Sequence, residues 1–254
     1  MTTTVVPQDY VLPEPLIIAL ANLKGGVGKT TSTFFLACFF ALVMELRVLV
    51  IDADPLSQTG SSWYRRLIKA RVKVPFTLIS FPSPRIADCI EDNRDDFDVI
   101  LVDVGGETEA ILKAVVPELD ELLLVTSVSP SEVKRVPSTR RAAVSAIREA
   151  VEADPTWVPK DPRVRVLMTK VPVTVKKGVN VSLEYREQRT NLEDAGYPVM
   201  ENYARSWKWY REAADGEVGK GAENPIEDIG EYKQIGLELV APYHVNAGKE
   251  AVNA

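Results

Sequence analysis

Cysteine is scarce in this sequence of 254 residues, which contains only Cys38 and Cys89. Each lies in a segment of helical pattern, without a second cysteine or a histidine nearby at the spacing of metal ligands. We expect two free thiols in a reducing compartment. A disulfide or an iron–sulfur ligand role is the less favoured alternative.

Long hydrophobic runs are missing as well. The longest unbroken apolar run, 34–44, is too short to span a bilayer and is typical of a buried helix. The first basic residue is Lys24, so the start of the sequence lacks the basic and apolar stretches of a secretory signal. These absences predict a cytoplasmic protein.

An excess of basic charge is also absent, because 30 basic and 36 acidic side chains give a formal net charge of −6. Such a chain contacts nucleic acid only through a local basic patch. The hydrophobic fraction of 46% is ordinary for a globular protein and argues against overall disorder.

Apolar runs alternate with helical segments along the first two thirds of the chain. The runs are 16–20, 47–51, 99–102, 122–125 and 164–168, and the helical segments are 29–45, 85–95, 107–116 and 131–152. Runs that are apolar on both faces are typical of strands buried between two helical layers. The alternation predicts an α/β fold, with a doubly wound, mostly parallel sheet flanked by helices.

The two ends of the chain show less pattern. Residues 1–15 predict a flexible N-terminal arm, 16–244 a single domain and 245–254 a polar tail. In the last third of the chain, the pattern indicates helices at 179–195, 206–214 and 226–240, with a short strand at 197–200.

A glycine-rich loop lies between the first predicted strand and the first predicted helix. It comprises Lys24, Gly25, Gly26, Val27, Gly28, Lys29, Thr30 and Thr31. Glycines let successive backbone N–H groups approach phosphate oxygens, and the helix N-terminus adds partial positive charge. Lys29 is expected to reach the β- and γ-phosphates of a nucleotide, and the Thr30 hydroxyl to ligate Mg²⁺. The alternative is a glycine-rich turn that contains Lys-Thr by chance.

Acidic residues follow two of the predicted strands. Asp52 and Asp54 come after the run 47–51, and Asp103 follows 99–102 in the Walker B manner. Ligands of open parallel sheets bind beyond the carboxyl ends of the strands, where these carboxylates are well placed for Mg²⁺ and water. Asp103 is predicted to hold a Mg²⁺-bound water. The alternatives are that Asp52 and Asp54 only cap the next helix, and that Asp103 ends an ordinary strand.

The run 166–172 bears on the choice of nucleotide. It lies where GTPases carry their guanine-binding N-K-x-D motif, but Val171 and Pro172 follow Lys170. No aspartate is therefore placed to bind guanine, which favours ATP.

The loop form K-G-G-x-G-K-T departs from the ordinary pattern, since Leu23 stands at the first glycine position and Lys24 is an extra lysine. This form resembles the deviant Walker A loop of the ParA/MinD family of P-loop NTPases. In that family the early lysine reaches the phosphates of the partner subunit. The resemblance therefore implies an ATP-dependent sandwich homodimer in which Lys24 is catalytic in trans, comparable to an arginine finger. A solvated loop lysine is the alternative.

The segment 52–55 is similar to the D-x-D-P switch of the same family. By that resemblance Asp54 orients or activates the attacking water, and Asp52 supports the metal shell. The family often has glutamine directly after this motif, whereas this chain has Leu56, with Gln58 two residues later.

Within the family, the chain is similar to short plasmid-type ParA proteins, because only about 15 residues precede the first strand and leave no room for a helix-turn-helix domain. Cys38 and Cys89 do not match the paired ligands of the iron–sulfur relatives, and the tail after Tyr243 lacks the basic amphipathic helix of MinD. The resemblance implies a slow, partner-stimulated DNA-segregation ATPase that uses ATP and Mg²⁺. Its implied partners are a second copy, non-specific DNA of the nucleoid and a ParB-like centromere-binding protein, with no membrane. The alternatives are a MinD-like membrane-surface positioning ATPase and a non-hydrolysing nucleotide-binding relative.

Basic side chains of the C-terminal third form the predicted DNA contact. They are Lys176, Lys177, Arg186, Arg189, Arg205, Lys208 and Arg211. Lys208 and Arg211 are three apart and can share a helix face. Arg205 follows the predicted short strand, where short ParA-type proteins carry an arginine implicated in DNA contact. The alternative is an ordinary solvated helix face.

Overall fold

The fold is built on a sheet of six parallel strands, seen in a computed structural model that describes residues 9–106, 108–156, 158, 160–173, 181–215 and 229–245. The strands are β1 (Leu16–Ala21), β2 (Val48–Ala53), β3 (Thr77–Ser80), β4 (Val99–Val104), β5 (Glu121–Ser127) and β6 (Arg163–Thr169). Their order across the sheet is β3-β2-β4-β1-β5-β6, with every pairing parallel. All six carboxyl ends therefore meet at one edge, and this confirms the predicted doubly wound parallel sheet.

Helices cover both faces of the sheet. They are α1 (Lys29–Cys38), α2 (Thr59–Lys69), α3 (Ile86–Asn93), α4 (Glu109–Val115), α5 (Pro130–Val133), α6 (Val136–Ala153), α7 (Leu183–Asp194), α8 (Lys208–Asp215) and α9 (Tyr232–Val240). The helix α1 continues into a π-helical turn over Phe39–Val43, and short 3₁₀ turns cover Val116–Glu118 and Ala241–Tyr243. No helix of the described segments has the length and apolar character to cross a membrane.

Alternate residues of each central strand enter two separate cores. In β1, Leu16, Ile18 and Leu20 pack toward α1 and α9, whereas Ile17 and Ala19 pack toward α4 and α6. Both sets are fully buried, since a strand between two helical layers has no solvent face. This double burial explains why the strands appear in the sequence as continuous apolar runs.

Aromatic packing fixes the helix that follows the glycine-rich loop. Phe34 stacks on Trp63 of α2 with ring centroids 4.1 Å apart, and Phe35 stacks on Tyr232 of α9 at 5.3 Å. The Tyr232 hydroxyl also shares a hydrogen bond with Ser32 at 2.9 Å. The N-terminus of α1 is therefore held by helices from two distant parts of the chain.

A buried ion cluster lies at the opposite edge of the sheet, where the strands begin. Glu121 is fully buried and pairs with Arg163 and Arg165, with N–O distances of 2.9 and 3.0 Å. Tyr243 donates a further hydrogen bond to Glu121 at 3.1 Å. Arg165 in turn donates to the carbonyl of Leu239, so the cluster ties the end of α9 to the sheet.

Residues 9–11 of the arm predicted for 1–15 pair with the segment 243–245. The N–H of Val11 donates to the carbonyl of Tyr243 at 2.8 Å, the N–H of Val245 donates to Asp9 at 2.9 Å, and Tyr10 bridges His244. Residues 9–11 are therefore docked as a short antiparallel pair. Residues 1–8 of the predicted arm and 246–254 of the predicted tail lie outside the described residues.

The prediction named no element between 56 and 84, where the structure has α2 and β3. The strand β3 lies at the edge of the sheet, and its residues are exposed or half-buried, so it lacks the apolar run of a central strand. Val199 bridges Val166 and Arg205 bridges Val171, which confirms extended backbone near the short strand predicted at 197–200.

Candidate nucleotide-phosphate site

The loop between β1 and α1 has the backbone of a phosphate cradle. Gly26 and Gly28 have φ angles of +82° and +95°, which side chains with a Cβ adopt only at a cost. Gly28 directly precedes the first residue of α1, so the loop ends at unpaired N–H groups and the positive end of a helix. Such a cradle binds anions.

The backbone that follows β4 is in close contact with the backbone of this loop. A Cβ built on Gly106 would lie 2.5 Å from the nitrogen of Gly25 and 2.7 Å from the carbonyl carbon of Lys24. Only glycine fits at this approach, because the atoms it faces are backbone. The segment after β4 is therefore in direct backbone contact with the glycine-rich loop.

Lys29 is folded onto the loop that carries it. The residue is 7% exposed, and its ammonium donates to the carbonyl of Lys24 at 3.1 Å. Burial lowers the pKa of Lys29, and the nearby carboxylates Asp103, Asp54 and Glu132 act in the opposite direction. A buried cation at the rim of the cradle is suited to a polyphosphate, which would replace the carbonyl as its partner.

Thr30 and Asp103 are brought together as a pair. The Thr30 hydroxyl donates to Asp103 Oδ2 at 2.6 Å, and Asp103 is 3% exposed. Burial is the main cause that raises the pKa of Asp103, to about 7, against the opposing effects of Thr30 and Lys29. Hydroxyl and carboxylate oxygens beside a phosphate cradle fit a Mg²⁺ ion, which proteins bind through one or two carboxylates together with substrate phosphates. A divalent cation there would also compensate the buried acid.

Asp52 makes the helix-capping contact that the sequence left open as the alternative to a role at the metal. Its Oδ2 accepts from the N–H and the hydroxyl of Ser61, both at 2.7 Å, and its Oδ1 accepts from the N–H of Asp54 at 3.3 Å. Ser61 lies in the first turn of α2, so Asp52 anchors that helix start. In the sheet register Asp52 stands opposite Asp103. A role in the metal shell stays a prediction for Asp52.

Asp54 lies in the loop that follows β2, next to the loop that follows β4. Its carboxylate accepts from the N–H of Leu56 at 2.9 Å and from the Ser57 hydroxyl at 2.7 Å. Burial acts to raise the pKa of Asp54, but hydrogen bonds from Ser57 and Leu56 and the charge of Lys29 together lower it. A Cβ on Gly105 would lie 3.0 Å from this carboxyl group. Asp54 is thus an ionised acceptor beside the cradle.

Lys24 is half-buried and points across the cradle to α5. Its ammonium donates to the Ser131 hydroxyl at 2.9 Å, and Ser131 shares a hydrogen bond with Ser129 at 3.0 Å. One residue earlier, the N–H of Leu23 donates to the hydroxyl of Thr139 in α6 at 3.1 Å. The loop is therefore joined to the segment after β5 at two consecutive positions, which the sequence did not predict.

The end of β6 supplies two further contacts to the loop. The Thr169 hydroxyl donates to the carbonyl of Val27 at 2.5 Å, and the Lys170 ammonium donates to the carbonyl of Gly26. In the sequence the run 166–172 bears only on the choice of base, so it does not predict this support of the loop. The only signal in the sequence is position, because Thr169 and Lys170 follow a predicted strand and so lie at the carboxyl edge of the sheet, where the loop also lies.

A cavity of about 60 Å³ adjoins the loop on the side of α8. Its lining residues are Gly28, Thr31, Thr169, Lys170, Ala204, Arg205, Ser206, Trp207, Tyr210 and Tyr232. The cavity thus joins the predicted residue Thr31 to the aromatic end of α8. Arg205, predicted to contact DNA, lies on its wall.

Comparison with known proteins places this geometry in a family. A family model described as an AAA domain matches residues 16–74, which carry the loop and the segment 52–55. The maintenance of carboxysome distribution protein A of Gloeobacter kilaueensis is 31% identical over 202 residues, which cover 79% of this chain and 81% of that protein. The chain belongs to the ParA family of P-loop ATPases. The sporulation initiation inhibitor protein Soj of Bacillus subtilis is 28% identical to it over 137 residues, 54% of this chain and 44% of that protein.

Solved structures share the ParA-family fold of the chain. An ATP complex of a McdA variant from Cyanothece aligns with a TM-score of 0.58 at 17% identity, covering 86% of this chain and 96% of that one. The pNOB8 ParA protein bound to nonspecific DNA aligns with a TM-score of 0.55 at 18% identity, covering 93% and 99%. At these identities the likeness shows the fold.

Three of the residues predicted to bind DNA have partners within this ParA-family fold. Arg189 is held by Glu193 and Glu201 at 2.8 and 3.0 Å, and Lys208 pairs with Glu212 at 2.5 Å. Arg205 lies over the ring of Tyr203, 5.9 Å from its centroid. Arg186 is exposed on α7.

The other predicted DNA contacts fall wholly or partly outside the described part of the chain. Lys176 and Lys177 lie outside the described residues, and Arg211 belongs to α8 with its side chain outside them. Of the four members whose side chains the structure describes, Arg189 and Lys208 are paired with acidic neighbours, and DNA contact by the set stays a prediction.

Proposed function

We propose that this chain is a DNA-segregation ATPase that works as an ATP-dependent sandwich dimer. The observation that carries the proposal is the position of Lys24, the first residue of the cradle, whose side chain reaches across the mouth of the cradle to Ser131. A cation on that rim can approach phosphates held by a second copy, as an arginine finger does. The cradle, Lys29 and the Thr30–Asp103 pair support nucleotide binding, and the family membership supports the choice of ATP with Mg²⁺.

Separate groups of residues have separate roles in the proposed reaction. The backbone of 24–28 and Lys29 would bind the phosphates, and Thr30 and Asp103, which share a hydrogen bond, would hold Mg²⁺. The cavity beside Thr31 would be available to the nucleoside. Bound Mg²⁺ supplies charge neutralisation at the phosphates. Asp54 accepts hydrogen bonds from its own loop and orients the attacking water. Hydrolysis then releases the dimer from DNA.

The proposal also includes a partner protein, which would connect the dimer to its cargo. We propose a ParB-like centromere-binding protein that stimulates turnover on a nucleoid-bound dimer in the cytoplasm. A protein assembly is the second candidate cargo, because the relative at 31% identity carries the name of a carboxysome distribution protein.

One set of measurements separates these possibilities from a membrane or non-hydrolysing relative. Mass from size exclusion with light scattering, duplex DNA binding and sedimentation with anionic vesicles are compared with ADP, ATP and a non-hydrolysable analogue. The proposal expects a dimer and DNA binding with ATP, and phosphate release that rises when the partner is added. Vesicle binding without DNA binding would favour the membrane alternative, and absence of phosphate release under all conditions would favour the non-hydrolysing one.

A further inference from the structure

Four exposed cations lie within eight residues at the junction of α5 and α6. They are Lys134, Arg135, Arg140 and Arg141, which we call the α6 basic surface. In the segments that the structure describes, none of the four is paired with a carboxylate. Arg140 alone has an aromatic contact, over the ring of Tyr197 at 5.3 Å. On a chain of net charge −6, this is a local excess of free positive charge.

The α6 basic surface is attached directly to the phosphate cradle. Thr139 lies between Arg135 and Arg140 in the sequence and is fully buried, and its hydroxyl accepts a hydrogen bond from the N–H of Leu23. Ser131, three residues before Lys134, accepts a hydrogen bond from the Lys24 ammonium. A change in the position of the loop or of Lys24 therefore acts on this surface without an intervening element. The positions 135 to 141 also span about 9 Å of helix, a length that can bridge neighbouring phosphates of one strand.

We infer that the α6 basic surface is the main contact of this chain with the phosphate backbone of duplex DNA. The inference rests on the proposed function, and it moves the DNA contact from the C-terminal third to α6. In a dimer joined through Lys24, two such surfaces would lie beside one joined pair of cradles. Eight cations in place of four explain why binding would need ATP, since one surface on an acidic monomer contacts few phosphates.

The chemistry of the surface favours duplex DNA over other anionic partners. Three of the four cations are arginines, whose guanidinium groups bind phosphate oxygens in pairs. The exposed large hydrophobic residues of the described segments include Val144 on α6 and no aromatic. Stacking on single strands needs exposed aromatic rings, and a membrane-surface helix needs a broad apolar face. The contact is therefore electrostatic and independent of sequence.

The test compares three triple variants with wild type. The first replaces the surface by Lys134→Gln, Arg135→Gln and Arg141→Gln. The matched control is Lys69→Gln, Arg71→Gln and Lys73→Gln, which removes the same charge from exposed positions that lie before β3, at the edge opposite the cradle. The third, Arg205→Ala with Lys208→Ala and Arg211→Ala, addresses the contact predicted from sequence.

Binding is measured with a labelled duplex of arbitrary sequence, a non-hydrolysable ATP analogue and salt between about 50 and 200 mM. The α6 variant is expected to lose at least about 10-fold in DNA affinity at the lower salt. Its slope of log affinity against log salt is expected to fall by up to about 5, since each phosphate contact contributes about 0.9 and the dimer loses six cations. The control variant is expected to keep the wild-type affinity and slope.

The dimer mass of each variant is measured first, because a protein that fails to dimerise would lose DNA for another reason. Should the triple variant fail that check, Arg141→Glu alone is assayed in its place and is expected to weaken binding likewise. Equal affinity of the α6 variant and wild type would overturn the inference, as would an equal loss in the control. Loss of anionic-vesicle binding with unchanged DNA binding would overturn it too. If wild type with the analogue binds no DNA at all, the proposed function fails instead.

Discussion

Lys24 donates a hydrogen bond to the hydroxyl of Ser131 at 2.9 Å, across the gap between the loops that follow β1 and β5. The contact holds the ammonium at the mouth of the cradle within one chain. In a sandwich dimer the same ammonium would exchange this hydroxyl for the phosphates of the partner. Lys24→Ala is therefore expected to keep monomeric nucleotide affinity, to lose the ATP-dependent dimer and to lower turnover by about 10³- to 10⁵-fold.

Ser131→Ala is the matched control for that prediction, because it removes the contact and keeps the charge. We expect it to dimerise with ATP and to turn over. Light scattering with ATP and a phosphate-release assay check both variants. If Ser131→Ala reproduced the losses of Lys24→Ala, the lysine would act as a link within the chain and its role in trans would be wrong.

Lys29→Ala is expected to abolish measurable ATP binding. The buried ammonium would meet the β- and γ-phosphates, and two hydrogen bonds to charged groups at about 1.5–3 kcal/mol each correspond to a loss of about 10²-fold or more. Titration calorimetry measures the effect, and Lys73→Ala, an exposed lysine at the other edge of the sheet, is the control. Wild-type affinity for Lys29→Ala would remove the assignment of the cradle.

Asp54→Ala is expected to bind ATP and dimerise, and then to stall. An orienting carboxylate contributes about 10²- to 10⁴-fold to a reaction of this kind. Ser57→Ala leaves the carboxylate in place and removes one of its hydrogen bonds, so it should turn over faster than Asp54→Ala. Partner-stimulated phosphate release at the wild-type rate in Asp54→Ala would transfer the role to Asp103 or to a water network.

Gly106→Ala is expected to weaken nucleotide binding although residue 106 carries no side chain of its own. The added methyl group would meet the backbone of Gly25 at 2.5 Å, so the cradle must shift. ATP affinity by calorimetry is the measurement, with far-ultraviolet circular dichroism as the check of folding. A folded variant that binds ATP as wild type does would show that the cradle tolerates this displacement.

The sequence predicted the central sheet well because double burial leaves a local signal. Every residue of β1, β2, β4 and β5 is buried, and such strands are continuous apolar runs. The edge strand β3 has no such run, since solvent reaches it. The sequence did not predict β3 because an edge strand lacks this apolar signal.

The sequence could not predict which side chains contact one another in the folded protein. Whether Asp52 caps a helix depends on Ser61, and whether Arg189 is a free charge depends on Glu201, which lies beyond its own helix. The contacts of Lys24 with Ser131 and of Leu23 with Thr139 join positions more than a hundred residues apart. The phosphate cradle was predictable because its chemistry lies within eight consecutive residues.

Glu121→Ala is expected to destabilise the protein by about 3–5 kcal/mol, because it leaves Arg163 and Arg165 without their buried partner. Urea unfolding followed by circular dichroism measures the free energy of unfolding. Arg85→Ala breaks an exposed pair with Asp88 and should change little. A similar small effect of Glu121→Ala would mean that the cluster does not anchor α9.

The pairing of Tyr10 with His244 brings the two ends of the described chain together at one place. A short linker could therefore join them, and the chain could be reopened in a surface loop to give a circular permutant. The junction lies at the edge where the strands begin, away from the cradle. Fluorescent labels attached there would report the position of the protein in cells without covering the phosphate cradle or the α6 basic surface.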